Sequence, residues 1–114
     1  NIGLEIKCSY SPENLIRLFN KIEKALQRTR GIKNQPRTCD IDLIDYKGKI
    51  LNSKKLIIPH PKAHLRNFVL FPIKEMSPRW EHPILNKRID FLIKKLSFKL
   101  RNEITRIKER VIID

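Results

Sequence analysis

Residues 39–43, CDIDL, alternate apolar side chains with two aspartates, Asp40 and Asp42. A period of two is typical of a β-strand that buries one face and exposes the other. The pattern therefore predicts a strand whose apolar side chains, Cys39, Ile41 and Leu43, face a core while both carboxylates lie on the opposite face. A fold that contains this strand needs other elements to cover its apolar side.

The sequence before this segment predicts a strand and a helix. Residues 2–8 alternate in the same way and predict a first strand with one buried face. Ser11 followed by Pro12 is a favourable helix start, because serine caps the first turn and proline fits the first helical position. Apolar residues then recur at spacings of three and four, and the helix is predicted to run to about Arg30 and end at Gly31.

The sequence after the segment predicts a hairpin and further helices. Residues 46–49, YKGK, are a turn signal between apolar runs, and strands are predicted at 50–51 and 56–58 before Pro59. A short apolar helix distorted by Pro72 is predicted over 63–75. Helical spacing over 84–100, continued over 101–114, predicts a basic C-terminal helix. Strand, helix, strand, hairpin and helix in this order indicate an α+β sandwich.

The charge of the chain indicates an anionic partner. The formal net charge is +13, which favours nucleic acid, an anionic membrane or a phosphorylated small molecule. No apolar run approaches the length of about 18 residues that a membrane span needs, so no span is predicted. Of the three partner classes, we expect the phosphorylated small molecule and no membrane. The two cysteines, Cys8 and Cys39, are predicted to be buried free thiols of a cytoplasmic protein.

Asp40 and Asp42 are the sharpest chemical signal. Carboxylates two apart on a strand lie on one face, about 7 Å apart, and can converge on hard cations. Mg²⁺ takes one or two carboxylates and leaves its other positions to water and nucleotide phosphates. The same alternation is also typical of a solvated strand face that binds nothing, so the pair alone leaves both interpretations open.

Basic and polar side chains of the kind that contact phosphate surround this pair in the sequence. Arginine suits bidentate phosphate contacts, although any single arginine in so basic a chain is equally an ordinary solvated residue. The candidates are Arg28, Arg30, Arg37 and Arg66. His60, between two prolines, can donate to a phosphate or make a structural hydrogen bond. Glu23 and Asn20 share the polar stripe of the first helix, where Glu23 can contact substrate or pair with a nearby basic residue.

Several segments, in order, resemble those of one family. Residues 36–43, PRTCDIDL, resemble the PRTLDLDI signature of 6-hydroxymethyl-7,8-dihydropterin pyrophosphokinase. Residues 28–30, RTR, are similar to its GRxR, and 58–61, IPHP, to its VPHP. Residues 66–72, RNFVLFP, resemble its RxFVLxPL, and 77–83 resemble its aPxxxHP ending. The chain departs from the family pattern at Gln27 and at residues 33–35, KNQ.

This resemblance implies a ferredoxin-like α+β fold and transfer of pyrophosphate from ATP to the hydroxymethyl group of the pterin, with release of AMP in folate biosynthesis. Asp40 and Asp42 would bind two Mg²⁺ ions, and Asp42 would also help to remove the hydroxyl proton. The residues implied to contact ATP are Arg28, Arg30, Arg37, His60, Arg66, Glu23 and Asn20, with Arg28 and Arg37 also counted as catalytic. Asn1 would hydrogen-bond the pterin, and Phe68 would stack on it.

The resemblance covers residues 1–85, and residues 86–114 are predicted to be a basic helical extension. The family's first strand with its Gly-Ser-Asn motif, the helix and the pterin loop have no counterpart here, so we expect little activity from this stretch alone and a monomer when the fold is complete. Two alternatives remain. One is a truncated, non-catalytic unit of the same family. The other is a nucleic-acid-binding module, against which the apolar stripe of residues 84–114 and the scarcity of aromatic residues argue.

Overall fold

The computed structural model describes residues 1–30 and 39–104, without the side chains of residues 28–30. This part of the chain is α+β, with one two-stranded antiparallel sheet and four α-helices. It divides into two compact units, one of residues 6–61 and one of residues 1–5 with the described residues from 62 onward. None of the described helices has the length and apolar character needed to cross a bilayer.

The first unit begins with the predicted long helix. Helix α1 spans Pro12–Arg30. The Ser11 hydroxyl accepts a hydrogen bond from the Asn14 amide at 3.2 Å, and the Ser11 carbonyl accepts one from the Leu15 amide at 2.9 Å. The first contact satisfies an amide that the first turn of a helix leaves without an intrahelical partner, and the second is the first hydrogen bond of the helix itself. The predicted start at Ser11-Pro12 and the predicted extent to Arg30 are therefore confirmed.

The predicted turn and hairpin are also present in this unit. The Lys49 amide donates to the Tyr46 carbonyl at 2.9 Å, and Lys47 and Gly48 have φ of 52° and 69°. Two central residues with positive φ define a type I′ turn, in which glycine is strongly favoured. Strand β1 (Leu51–Asn52) then pairs antiparallel with strand β2 (Ile57–Ile58). The peptide bond that follows β2, Ile58-Pro59, is cis.

Residues 39–45 keep the predicted alternation but not the predicted regular strand. Ile41 and Leu43 are half-buried while Asp40 and Asp42 are exposed, as a period of two requires. No strand ladder involves these residues in the described part of the chain, and Cys39 is exposed rather than buried. The alternation of residues 39–45 therefore predicts which side chains face inward. It does not predict a regular strand, because a strand ladder also needs a neighbouring strand to pair with.

The prediction of a first strand over residues 2–8 with its apolar face buried is wrong for the described structure. The segment is irregular, and Ile2 and Leu4 are 87% and 80% exposed. Gly3 makes the close contact instead: a Cβ at this position would lie 2.7 Å from Cβ of Pro72. Since glycine has no side chain, the backbone of Gly3 can approach the proline ring, and this turns the larger side chains on either side outward.

The second unit packs three α-helices, preceded by a short 3₁₀ helix, around a small apolar core. A 3₁₀ helix (Ala63–Leu65) leads into α2 (Asn67–Met76), which contains Pro72 as predicted, and α3 spans Ile89–Lys95. The buried cluster lies between α2 and the residues of α3 and its end: Leu70, Ile89, Leu92 and Leu96. Helix α4 (Phe98–Asn102) is joined to the start of α2, because the Asn67 side-chain amide donates to the Leu100 carbonyl at 2.8 Å.

The predicted continuous helix over residues 84–100 is wrong. Residues 83–85 form a turn in which His82 Nδ1 accepts from the amides of Ile84 and Leu85 at 3.2 and 3.1 Å, and α3 begins only at Ile89. The helix stops again before Ser97, whose hydroxyl accepts from the Leu100 amide at 3.2 Å and caps α4. Serine at this position therefore starts a new helix. The predicted continuation over 105–114 lies outside the described residues.

The type I′ turn allows a test of backbone strain without steric conflict. A Cβ on Gly48 would meet nothing within 4 Å, so only the positive φ penalises a side chain. We expect Gly48→Ala to lower the free energy of unfolding by about 1 kcal/mol, as for an L-residue in the left-handed region. Gly48→Asn should cost less, since asparagine tolerates this conformation. Urea unfolding of the two variants measures the difference, and equal losses would contradict the assignment of the turn.

Candidate functional site

The acidic segment, residues 39–45, is held at two points within the unit of residues 6–61. The Ile41 amide donates to Glu23 Oε1 of α1 at 2.7 Å. The His60 amide donates to the Ile44 carbonyl at 2.9 Å, which places the residues after β2 beside the end of the segment. Asp42 lies between these two anchored positions. Its location is therefore determined by the first helix and by the second strand together.

A cavity of about 270 Å³ opens beside the anchored segment. Its charged and polar lining consists of Asp42, His60, Lys54 and Lys55, and the remaining lining residues are apolar side chains and Pro61. One aspartate, one histidine and two lysines thus line one small space. Such a lining can hold an anion through the lysines and a cation through the aspartate.

Asp40 and Asp42 present their carboxylates to solvent. Neither forms a hydrogen bond or an ion pair with a described residue, and only Asp42 lines the cavity. Among the described residues there is no group of three or more histidine, cysteine or acidic side chains that could hold a metal ion. The donor set is instead two exposed carboxylates, which is the number and type of protein ligand that Mg²⁺ accepts when water and phosphates complete its shell.

The other predicted ATP contacts of this unit occupy different surroundings. Glu23 is half-buried and its carboxylate accepts from the Ile41 backbone, so it supports the acidic segment directly. Asn20 lies three residues earlier on α1 and is exposed. His60 is half-buried and lines the cavity with Asp42. The structure therefore brings Asp42 and His60 to one space, which the sequence could not establish.

Three predicted residues belong to the other unit. Arg66 is half-buried immediately before α2, and its guanidinium carbon lies 5.5 Å from the centroid of the Phe68 ring. Phe68 is 38% exposed, so part of its ring remains available for stacking. Asn1 is exposed at the start of the chain. Within this unit, Arg66 and Phe68 are neighbours, as their sequence positions require.

The structure describes no side chain for the three remaining arginines. Arg28 and Arg30 belong to the last turn of α1, and the structure describes their backbone but not their side chains. Arg37 lies outside the described residues. Their predicted contacts with phosphate therefore stay predictions.

Lys54 and Lys55 are the residues of the cavity that the sequence analysis missed. They lie in the turn between β1 and β2, where the Ser53 amide donates to the Leu56 carbonyl at 3.0 Å. A pair of lysines in a hairpin turn is ordinary surface composition. The signal that could have indicated them is the predicted hairpin. Because the chain after the hairpin contacts the acidic segment at residue 60, the short hairpin also brings its turn near that segment.

Comparison with known proteins identifies the family. The model of the family described as 7,8-dihydro-6-hydroxymethylpterin-pyrophosphokinase (HPPK) matches residues 1–78. The 2-amino-4-hydroxy-6-hydroxymethyldihydropteridine pyrophosphokinase of Aquifex aeolicus is 37% identical over 87 residues, and that of Synechocystis sp. is 40% identical over 91. These alignments cover 76% and 80% of this chain. The folic acid synthesis protein FOL1 of Dictyostelium discoideum is 35% identical over 86 residues, or 75% of this chain.

The chain spans only part of each relative. It covers 54% of the Aquifex protein, 47% of the Synechocystis protein and 13% of FOL1. The family match includes the acidic segment, the hairpin and α2, which are the elements that carry the residues described above. With more than half of its length matched, this chain belongs to the HPPK family.

Proposed function

We propose that this chain carries the ATP-phosphate side of an active site that transfers pyrophosphate from ATP to the hydroxymethyl group of 6-hydroxymethyl-7,8-dihydropterin, with release of AMP. Membership of the HPPK family supports the reaction class. The observation that carries the assignment of the site is the cavity shared by Asp42, His60 and the two lysines of the hairpin turn. On this proposal the reaction is a step of folate biosynthesis in the cytoplasm.

In the proposed site the basic side chains bind the phosphates. Lys54 and Lys55 supply positive charge at the cavity, and His60 donates a hydrogen bond from its ring. Arg66 of the other unit, with Arg28, Arg30 and Arg37 near the acidic segment in the sequence, supplies further cationic contacts to the triphosphate. Pyrophosphoryl transfer needs little covalent chemistry from the protein, so positioning and charge neutralisation account for most of the catalysis.

Asp40 and Asp42 would hold Mg²⁺ in this site. Two exposed carboxylates without a described protein partner fit a hard cation that completes its shell with water and phosphate oxygens. When bound, the metal supplies neutralisation of the charge on the transferring group and orientation of the phosphates. The carboxylate of Asp42 has a second proposed role, in which it accepts the proton of the attacking hydroxyl group.

The pterin contacts are proposed for residues of the second unit. Phe68 offers a partly exposed ring that stacks on the flat pterin, and Asn1 offers an amide that hydrogen-bonds its edge. Together with the family match, the order helix, hairpin and helix supports a ferredoxin-like arrangement in the complete protein, which we propose to be a monomer. Residues 1–85 would belong to that domain and residues 86–114 would extend it.

The carboxylate pair is tested by removing each member in the intact protein. We expect Asp40→Ala and Asp42→Ala to lower the rate of AMP formation from ATP and the pterin at least about 100-fold, as loss of transition-state charge stabilisation does elsewhere. Asp90→Asn removes an exposed acid of α3 and should leave the rate unchanged. Full activity in both alanine variants would refute the metal assignment. An inactive intact parent with normal folding would instead favour the non-catalytic alternative.

The lysines are tested by their effect on ATP affinity. Lys54→Met and Lys55→Met retain the aliphatic stem and remove the charge, so each should raise the KM for ATP about threefold to tenfold because a charge-assisted contact is lost. Lys7→Met is the matched control, since Lys7 is exposed in the same unit and does not line the cavity. Steady-state kinetics with varied ATP measure the effect. An unchanged KM in the double variant would remove both lysines from the site.

Glu23 allows a test between support of the backbone and contact with the nucleotide. Glu23→Gln keeps a side-chain oxygen that can accept from the Ile41 amide, whereas Glu23→Ala has no acceptor. If Glu23 acts by holding the segment, the glutamine variant should retain most of the activity and the alanine variant should lose about tenfold or more. AMP formation and thermal unfolding of both variants are the measurements. Equal losses of activity at equal stability would show that the negative charge itself is required.

A further inference from the structure

A second cavity lies in the other unit, and none of its lining residues is among those assigned above to ATP or the pterin. It has a volume of about 390 Å³, within the range of small-molecule sites, and most of its lining is apolar. The 3₁₀ helix contributes His64 and Leu65, and the remainder comes from the residues before α3, from α3, from the link after it and from α4. Leucines that line it include Leu92, Leu96 and Leu100.

Two lysines give the rim of this cavity a positive charge. Lys87 and Lys95 both line it, and their ammonium nitrogens lie 4.9 and 5.3 Å from the centroid of the Phe91 ring. Contact with one aromatic ring keeps both cations near the opening. Neither pairs with a carboxylate in residues 1–30 or 39–104, and Asp90, the acid next to Phe91, pairs with Lys74 at 3.0 Å instead. Among the described residues, no acidic side chain lines the cavity.

Two further polar residues, His64 and Ser97, also line the cavity. His64 Nδ1 is buried and has no hydrogen-bond partner in the described structure, although the ring packs edge-on against His82 at a centroid distance of 5.7 Å. The Ser97 hydroxyl, which accepts from the Leu100 amide, still has its own proton to donate.

We propose that this cavity binds a small amphipathic carboxylate, whose apolar body packs among the leucines and whose carboxylate lies between Lys87 and Lys95. The apolar lining excludes a strongly hydrated anion such as free phosphate, because burial of such an ion requires more donors than this lining offers. Because the two lysines have no carboxylate partner among the described residues, their charge selects an anion over a neutral or cationic ligand of the same shape. Binding of such a ligand at this cavity does not depend on the proposed pyrophosphokinase reaction.

The test compares the binding of three ligands to the intact protein. The ligands share the indole ring and differ in the charge of their side chain. Indole-3-acetate, neutral indole-3-acetamide and cationic tryptamine are titrated while the methyl resonances of leucine and isoleucine are followed by NMR. We expect indole-3-acetate to shift the methyls of Leu92, Leu96 and Leu100 and to bind at least about tenfold more tightly than the amide. Methyls of Ile16 and Leu43, which line the other cavity, should not move.

Variants then separate charge from shape. The double variant K87M/K95M should weaken indole-3-acetate about tenfold and leave the amide unchanged, while K94M, an exposed lysine of α3 outside the lining, should alter neither. Since Lys87 and Lys95 are both exposed, their substitution should preserve the fold, and the methyl spectrum reports whether it does. The proposal would be overturned without any variant if indole-3-acetate and indole-3-acetamide bound the parent protein equally tightly. It would also be overturned if the methyl resonances of the three leucines did not shift.

Discussion

The hydrogen bond from the Ile41 amide to the Glu23 carboxylate is the contact on which the candidate ATP site depends. Residues 39–45 have no strand ladder in the described part of the chain, so their backbone donors need acceptors from elsewhere. A carboxylate acceptor makes such a bond about twice as strong as a neutral one. With the His60 amide bound to the Ile44 carbonyl at the other end, the segment is held on both sides of Asp42.

This arrangement explains why overall charge is a poor guide to the site. The net charge of +13 arises from lysines and arginines spread along the whole chain. The candidate site gains its character from four side chains that the hairpin and the anchored segment bring to one cavity, and one of them is acidic. The second cavity is also basic at its rim, yet its interior is apolar. Placement of a few charges therefore distinguishes two surfaces that composition treats alike.

Elements that local interactions determine were predictable, and those that need distant partners were not. Helix α1 follows from its serine cap and apolar spacing, and the turn at Gly48 from the conformation that glycine permits. The alternation at Asp40 and Asp42 correctly predicted exposed carboxylates. By contrast, the apolar face of residues 2–8 needs a partner, and Gly3 placed against Pro72 gives the opposite outcome for the side chains beside it.

The candidate site was predictable to a similar degree. Its acidic pair and His60 were found because alternation and flanking prolines mark them in the sequence. Lys54 and Lys55 were missed because their proximity to Asp42 depends on how the hairpin folds back, which no spacing along the chain encodes. The structural role of Glu23 was missed for the same reason, since its partner Ile41 is 18 residues away.

The proposed function also explains why carboxylates would lie where phosphates bind. Alone, Asp40 and Asp42 would repel a triphosphate, and at about 4 Å two like charges near a protein surface cost several kcal/mol. Two lysines and a histidine at the cavity offset that repulsion only in part. A divalent cation reverses it, because each carboxylate then attracts the ion that the phosphates also bind. The acidic pair therefore makes physical sense in a phosphate site only when it holds a metal, and this links the roles proposed for the aspartates to those proposed for the lysines.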